Sequence, residues 1–189
     1  DRLVFRVPAR AVLLAGNRHG TIRQETAAAL VSRLSESGFG FLVGCASGID
    51  ATFRSAVSRN APARETAFIA CAFPRRVHEN EQAGLTAGLV VPHGLSAAAA
   101  LHRRTVWAVK RSVLLILFPD DPTTGRWGRG SALAFRSALL QLKPVFVATS
   151  RRPASSAHYR VVPDSLYGLV DGYWVVPHPT ALGTCDEEV

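Results

Sequence analysis

Short apolar runs that close on glycine and lead into longer amphipathic stretches recur along this chain. That alternation narrows the possible folds more than any other feature, because it is the signal of parallel βαβ units. Ala11–Gly16 (AVLLAG) reads as a buried strand, and Thr21–Ser37 as a helix with Ala27, Leu30, Val31 and Leu34 at helical spacing before Gly38. Gly40–Gly44 (GFLVG) follows as a strand, a helix spans Asp50–Ser58, and Thr66–Cys71 (TAFIAC) is a third strand. Between Pro74 and Pro92 the pattern weakens to a polar helix around His78–Leu85 and a short strand at Leu89–Val91. A helix over Ser96–Arg111 then leads into Val113–Phe118 (VLLILF), apolar enough to lie at the centre of a sheet covered on both faces. Gly130–Leu142 is a helix and Pro144–Thr149 a strand, while the Arg151–Ala157 stretch (RRPASSA) reads as a linker. Short segments at Tyr159–Val162 and Tyr173–Val176 precede an acidic end at Asp186-Glu187-Glu188. The expected architecture is a single α/β domain with a doubly wound, mostly parallel sheet over 11–150. A 1–10 N-terminal extension precedes it, and a 151–189 C-terminal extension packs on the same domain.

A chain of 189 residues can bury a substantial core without disulfides. The three cysteines, Cys45, Cys71 and Cys185, form neither a disulfide framework nor a zinc pair, so a reducing cytoplasm is expected. No apolar stretch is long enough to span a membrane, and Ala11–Ala15 is too short for a signal-peptide core. The sequence has no methionine, so a processing or truncation boundary is expected before Asp1. Net charge is +8, and every cation other than Lys110 and Lys143 is arginine. Arginine suits phosphates and stacks on bases, which points to a polyanionic partner; a coding bias towards arginine explains the excess equally well.

Ligands of open parallel sheets bind beyond the carboxyl ends of the strands, which directs attention to the turns after Gly16, after Gly44 and after Phe118, and to the glycine loop before Gly130, the last two forming one cluster. In Gly16-Asn17-Arg18-His19-Gly20-Thr21, Thr21 is expected to cap the helix, leaving backbone N–H groups to face an anion that Arg18 also contacts. In Ser47-Gly48-Ile49-Asp50, Ser47 or Asp50 serves the helix start and Gly48 permits close approach. The third, Pro119–Ser131, interleaves Gly125, Gly128 and Gly130 with Arg126, Trp127 and Arg129 ahead of Ser131. Backbone donors, two guanidiniums and an aromatic plate there fit a phosphorylated, base-bearing ligand. Each turn also has a purely structural reading, as a cap or a surface loop. Asp120 and Asp121 cap or solvate, and no metal is assigned. His102-Arg103-Arg104-Thr105 either reaches the crevice or forms a solvated face, and His78, His93, His158 and His178 lack ligand spacing. No G-x-S-x-G elbow supports serine catalysis, and no catalytic residue is assigned.

Together, in order, these segments resemble the Rossmann-like domain of the DNA-processing protein A (Smf) family, within the SLOG superfamily. Gly16-Asn17-Arg18 stands at its G-[ST]-R turn, and Gly48-Ile49-Asp50 at its G-I-D, with Phe53 and Arg54 where A-H is usual. Arg103-Arg104-Thr105 matches its R-N-R in the first arginine, and Gly130–Ala138 followed by Lys143–Ala148 is similar to its G-S-x-x-T-A-x-x-A and following strand. The resemblance covers about Ala11 to Thr149. It implies a Rossmann-like sheet, single-stranded DNA bound in a basic pocket, a homodimer, and work beside a recombinase in DNA processing. Phosphoribohydrolases of the same superfamily carry P-G-G-x-G-T-x-x-E; Gly128-Arg129-Gly130-Ser131 resembles part of it, but Ala134 stands at the glutamate position, so that mechanism needs a glutamate from elsewhere, such as Glu65 or Glu79.

Three readings follow. The first is a non-catalytic binder of single-stranded DNA or nucleotide phosphates, the second a sensor of a small nucleotide-derived ligand, and the third a nucleotide hydrolase. No cofactor is expected to be required, and a bound nucleotide is compatible with all three readings. The expected ligand residues are Gly16, Asn17, Arg18, Thr21, Ser47, Gly48, Asp50, Arg103, Arg126, Arg129, Gly130 and Ser131.

Overall fold

The computed structural model describes residues 7–178. Cys185 and the acidic Asp186-Glu187-Glu188 lie outside the described residues. One sheet of eight strands organises the chain: β1 (Ala11–Gly16), β2 (Gly40–Gly44), β3 (Ala67–Cys71), β4 (Ala87–Leu89), β5 (Leu114–Phe118), β6 (Val145–Val147), β7 (Tyr159–Leu166) and β8 (Val170–Pro177). Their order is β4-β3-β2-β1-β5-β6-β8-β7. The six strands from β4 to β6 are parallel, whereas β8 runs antiparallel to β6 and β7 antiparallel to β8. The chain steps outward from β1 to β4, then crosses back to place β5 on the other side of β1. Strand order thus reverses between β1 and β5, where diverging loops leave a crevice.

Side-chain alternation on the strands divides the core into two layers. On one face, Val12 and Leu14 of β1 pack with Leu30 and Leu34 of α1 (Gln24–Glu36) and Phe53 and Val57 of α2 (Ile49–Arg59). On the other, Ala11 and Leu13 meet Ala108 and Val109 of α5 (Ala97–Arg111) and Ala134 and Ala138 of α6 (Arg129–Leu140). In β5, Leu115, Ile116 and Leu117 are 0% exposed, the consequence of covering both faces of a central strand.

Several boundaries differ from the sequence reading. α3 (Ala61–Glu65) is a single turn that the periodicity did not mark; the Asn60 side chain caps it by accepting the Ala63 N–H at 3.0 Å. α4 (Pro74–Gln82) starts four residues earlier than expected, because Pro74 fits a helix's first position. β4 correspondingly ends at Leu89 instead of beginning there. The two short tail segments are eight-residue strands, joined through Tyr167 (φ 55°) and Gly168 (φ 69°) into a hairpin that extends the main sheet. Pro163 is tolerated in β7 because that strand is the sheet's outer edge.

Candidate nucleic-acid interface

At the switch point lies a cavity of about 820 Å³, open to solvent and bounded by the ends of β1 and β5, the β2–α2 turn, and the facing sides of α5 and α6. Its deeper wall is apolar, with Leu13, Ala15, Leu101, Ala108, Leu117 and Ala134. Four arginines line it, Arg18, Arg104, Arg129 and Arg136, with His19 and His102, against two carboxylates, Asp50 and Asp121.

The first turn is built by Asn17, which is 6% exposed. Its Oδ1 accepts the His19 N–H at 2.8 Å, its carbonyl accepts the Gly20 and Ile49 N–H groups, and its backbone N–H donates to Phe118 O at 2.9 Å. One residue thereby joins the ends of β1 and β5 to the start of α2. Arg18, next in sequence, is exposed at the cavity rim. Thr21 does not cap α1. That helix begins at Gln24 with Arg23 at its N-cap and no side-chain cap bond, because the Asn17 turn carries residues 20–23 away before the helix starts. Neither Thr21 nor the α1 terminus lines the cavity.

The second turn supports the first. Ser47 Oγ donates to Arg18 O at 3.3 Å. Gly48, at φ 67°, lies so close to the Asn17 and Arg18 backbone that a Cβ would collide with it. Ser47 and Gly48 therefore hold the two turns together and do not line the cavity. Asp50 is not a helix cap: Gly48 occupies that position. Its carboxylate is buried, accepts the Ala46 N–H at 3.3 Å, and pairs with Arg104 Nη1 at 3.3 Å. The pair crosses Gly44, where a Cβ would occupy the space of the guanidinium and the carboxylate. Arg54, standing where the family pattern has histidine, donates to Gly44 O at 2.7 Å and Ala46 O at 2.8 Å, bracing the same turn from beneath. Burial lowers the Arg54 pKa from its ordinary value, with the nearby Asp50 opposing that shift.

Arg104 takes the place assigned to Arg103. On α5, Ala100, Arg104 and Ala108 share the buried face at four-residue spacing, which turns Arg103 out to solvent and away from the cavity. Arg136 was also missed, although it lies seven residues after Arg129, two turns along the same helix face. In both cases helical phase held the signal.

The third turn is a closed loop. Asp121 N–H donates to Arg126 O at 3.0 Å, Gly125 N–H donates to Asp121 O at 2.7 Å, and Asp120 bridges Trp127. Asp121 Oδ1 accepts from the Thr123 hydroxyl and the Thr123 and Thr124 N–H groups, and these bonds hold its carboxyl below the usual carboxylate range. The closure leaves Arg126 exposed at the loop's outer side, off the cavity. Trp127 does line it, its ring backed edge-on by Phe135 at 5.1 Å. Gly128 is the N-cap of α6 and supplies no side-chain cap. The first intrahelical bond is Ala132 N–H to Gly128 O, so the N–H groups of Arg129, Gly130 and Ser131 precede the ladder, at the positive end of the helix dipole.

Three buried polar atoms in this region have no partner: Arg104 Nε and Ser131 Oγ, on residues that line the cavity, and Asp120 Oδ1 in the adjoining loop. Such atoms are rare in native interiors and point to a group that completes them. The cavity's carboxylates are both engaged, Asp50 by Arg104 and Asp121 by its own loop. Glu65 and Glu79 do not line it, and Glu79 is taken up by Arg75 and Arg76. Among the described residues no cluster of three or more His, Cys, Asp or Glu forms a metal site, and no helix is long and apolar enough to cross a membrane.

No protein-family model and no curated protein matches the sequence. Solved structures do. DNA processing protein A from Helicobacter pylori, described as binding single-stranded DNA, is similar at a TM-score of 0.56 and 18% identity over 79% of this chain and 69% of that one. DNA processing protein A from Streptococcus pneumoniae is similar at a TM-score of 0.53 and 15% identity, with 80% of this chain aligned to 52% of that chain. This chain therefore spans about half the length of the streptococcal protein. Its fold is the Rossmann-type fold of the DNA processing protein A structures.

Proposed function

We propose that the switch-point crevice binds single-stranded DNA through its phosphates, without catalysing a reaction on it. The observation that carries this reading is the convergence on one cavity of Arg18, Arg129, Arg136 and the uncapped α6 terminus, above the unpartnered Arg104 Nε and Ser131 Oγ. A helix N-terminus favours an anion, guanidiniums favour phosphate, and Trp127 offers a face for a base. The described binding of single-stranded DNA by the Helicobacter protein of the same fold supports the choice of ligand. A role in DNA processing, self-association as a homodimer and a recombinase partner extend this reading; light scattering and co-sedimentation with a recombinase test the last two. Hydrolysis of an N-glycosidic bond is not proposed, since Ala134 stands at the glutamate position and the cavity's carboxylates are already engaged.

Fluorescence anisotropy with a labelled oligothymidylate over a salt series tests the proposal. Three phosphate-contacting arginines correspond to a log–log salt slope of about −2, from roughly −0.7 per contact on a single strand. Arg18→Ala and Arg129→Ala should each weaken binding and flatten that slope. Absence of binding at low salt overturns the reading.

A second reading rests on the cavity's volume of about 820 Å³, which suits a single nucleotide-derived ligand. Thermal shift with a nucleotide panel tests it, because a ligand that binds only the native state raises Tm. A shift with mononucleotides and none with oligonucleotides favours this alternative.

A further inference from the structure

β2 and β3 run side by side in parallel, with Gly44 opposite Ala70. One residue further, Cys45 and Cys71 stand across from each other at the carboxyl end of the sheet. Both thiols belong to the same apolar layer, are 2% and 0% exposed, and are free. Neighbouring strands lie about 4.8 Å apart, within the Cα separation of about 4.4–6.8 Å that a disulfide spans. The Cys45 sulfur accepts the Ala72 N–H at 3.4 Å. Asn80 Nδ2 lies 3.9 Å from the Cys71 sulfur.

The charges facing the pair come from two helices. Arg104 of α5 and Asp50 of α2 act on Cys45, and Arg54 of α2 and Arg104 act on Cys71. Two guanidiniums against one carboxylate leave a net positive charge beside the pair, which favours a thiolate, while burial opposes it. A side-chain hydrogen bond with Cys71, with help from Arg104 and the Ala72 N–H, lowers the Cys45 pKa to about 6 against its desolvation; the same bond and burial raise Cys71.

We propose that Cys45 and Cys71 form a redox-active dithiol that a hydroperoxide closes into an intramolecular disulfide. The Cys45 thiolate attacks the terminal oxygen of the peroxide, the O–O bond breaks, and the departing alkoxide or hydroxide takes up a proton. Cys45 is then a sulfenic acid. The Cys71 sulfur attacks it, losing its proton, and the sulfenic oxygen leaves as water. Two thiols are oxidised by two electrons, and one peroxide is reduced to an alcohol and water, or to two waters. Neither sulfur lines the crevice and both are buried, so a small hydroperoxide reaches them through local opening at the carboxyl end of β2 and β3. The dithiol is independent of what the crevice binds.

The chain carrying Cys185→Ser keeps Cys45 and Cys71 as its only cysteines. After treatment with hydrogen peroxide its intact mass should fall by two hydrogens, and non-reducing digestion should yield a linked Cys45–Cys71 peptide that dithiothreitol separates. Adding Cys71→Ser should abolish the linked peptide and leave Cys45 to be trapped by dimedone as sulfenic acid. Circular dichroism checks that this variant folds, and Cys71→Ala replaces it if it does not. Over-oxidation of Cys45 to sulfinic or sulfonic acid with no linked peptide overturns the proposal. So does a pair that stays reduced, or one that links only between chains, at a peroxide dose that oxidises a model thiol peptide.

Discussion

Removing the Asp50 carboxylate is the most informative single perturbation, because one side chain serves both the core and the crevice. In Asp50→Ala the guanidinium of Arg104, whose side chain is 11% exposed, loses its ion-pair partner. Its Nε already lacks a hydrogen bond, so the charge stays buried and poorly compensated. Breaking a buried pair in this way costs about 3–5 kcal/mol. The contact is single-pointed at 3.3 Å and borders an open cavity that water can enter, which places the expected value near the lower limit. The Ala46 N–H also loses its acceptor, adding about 1 kcal/mol. The total, about 4 kcal/mol, corresponds to a fall in Tm of roughly 8–16 °C for a chain of this size. Urea and thermal denaturation of Asp50→Ala, Arg104→Met and the double variant measure it. The double variant should be more stable than the sum of the singles by about 2 kcal/mol, since it removes the stranded charge. A loss below about 1 kcal/mol for Asp50→Ala, or strict additivity, refutes the account of the pair as a buried ionic brace.

Other variants probe neighbouring links. Gly44→Ala should destabilise by about 1–3 kcal/mol by driving a methyl group into the Arg104–Asp50 pair, and an added Arg104→Met should recover much of that in urea melts. Lys143 Nζ donates to the carbonyls of Val109 (2.5 Å), Lys110 (2.8 Å) and Ser112 (2.6 Å), closing the end of α5. Lys143→Met strands those acceptors and should cost about 1–3 kcal/mol with oligonucleotide binding unchanged. Arg136→Glu reverses a charge on the cavity wall, so anisotropy should show weaker DNA binding and a shallower salt slope while Tm hardly moves. The lowered Cys45 pKa links stability to pH: its contribution is complete above about 9, the ordinary thiol value, and fades as pH falls towards about 6. Urea midpoints across that window should show the rise in wild type and lose it in Cys45→Ala.

Much of the architecture could be read from residue order. The period of apolar residues is a local property, and each strand from β1 to β3 and β5 to β6, with the helices between, follows from it. The GxR and GID turns likewise fall at the carboxyl edge of the sheet, because a parallel βαβ unit leaves its βα loops there. What the sequence alone did not settle lay where a residue's role depends on a partner distant in the chain. Arg103 and Arg104 are chemically equal neighbours; only the packing of α5 against the sheet turns Arg104 inward to Asp50, 54 positions away. Thr21 and Ser47 have the chemistry of caps, yet Asn17, bonded to both β5 and α2, decided where the turns close. The hairpin of β7 and β8 is half polar, because β7 is an edge strand with one neighbour, and its pairing to β6 came from tertiary contact. Local free-energy preferences determined the elements. Long-range packing and electrostatics decided which side chains meet in the crevice.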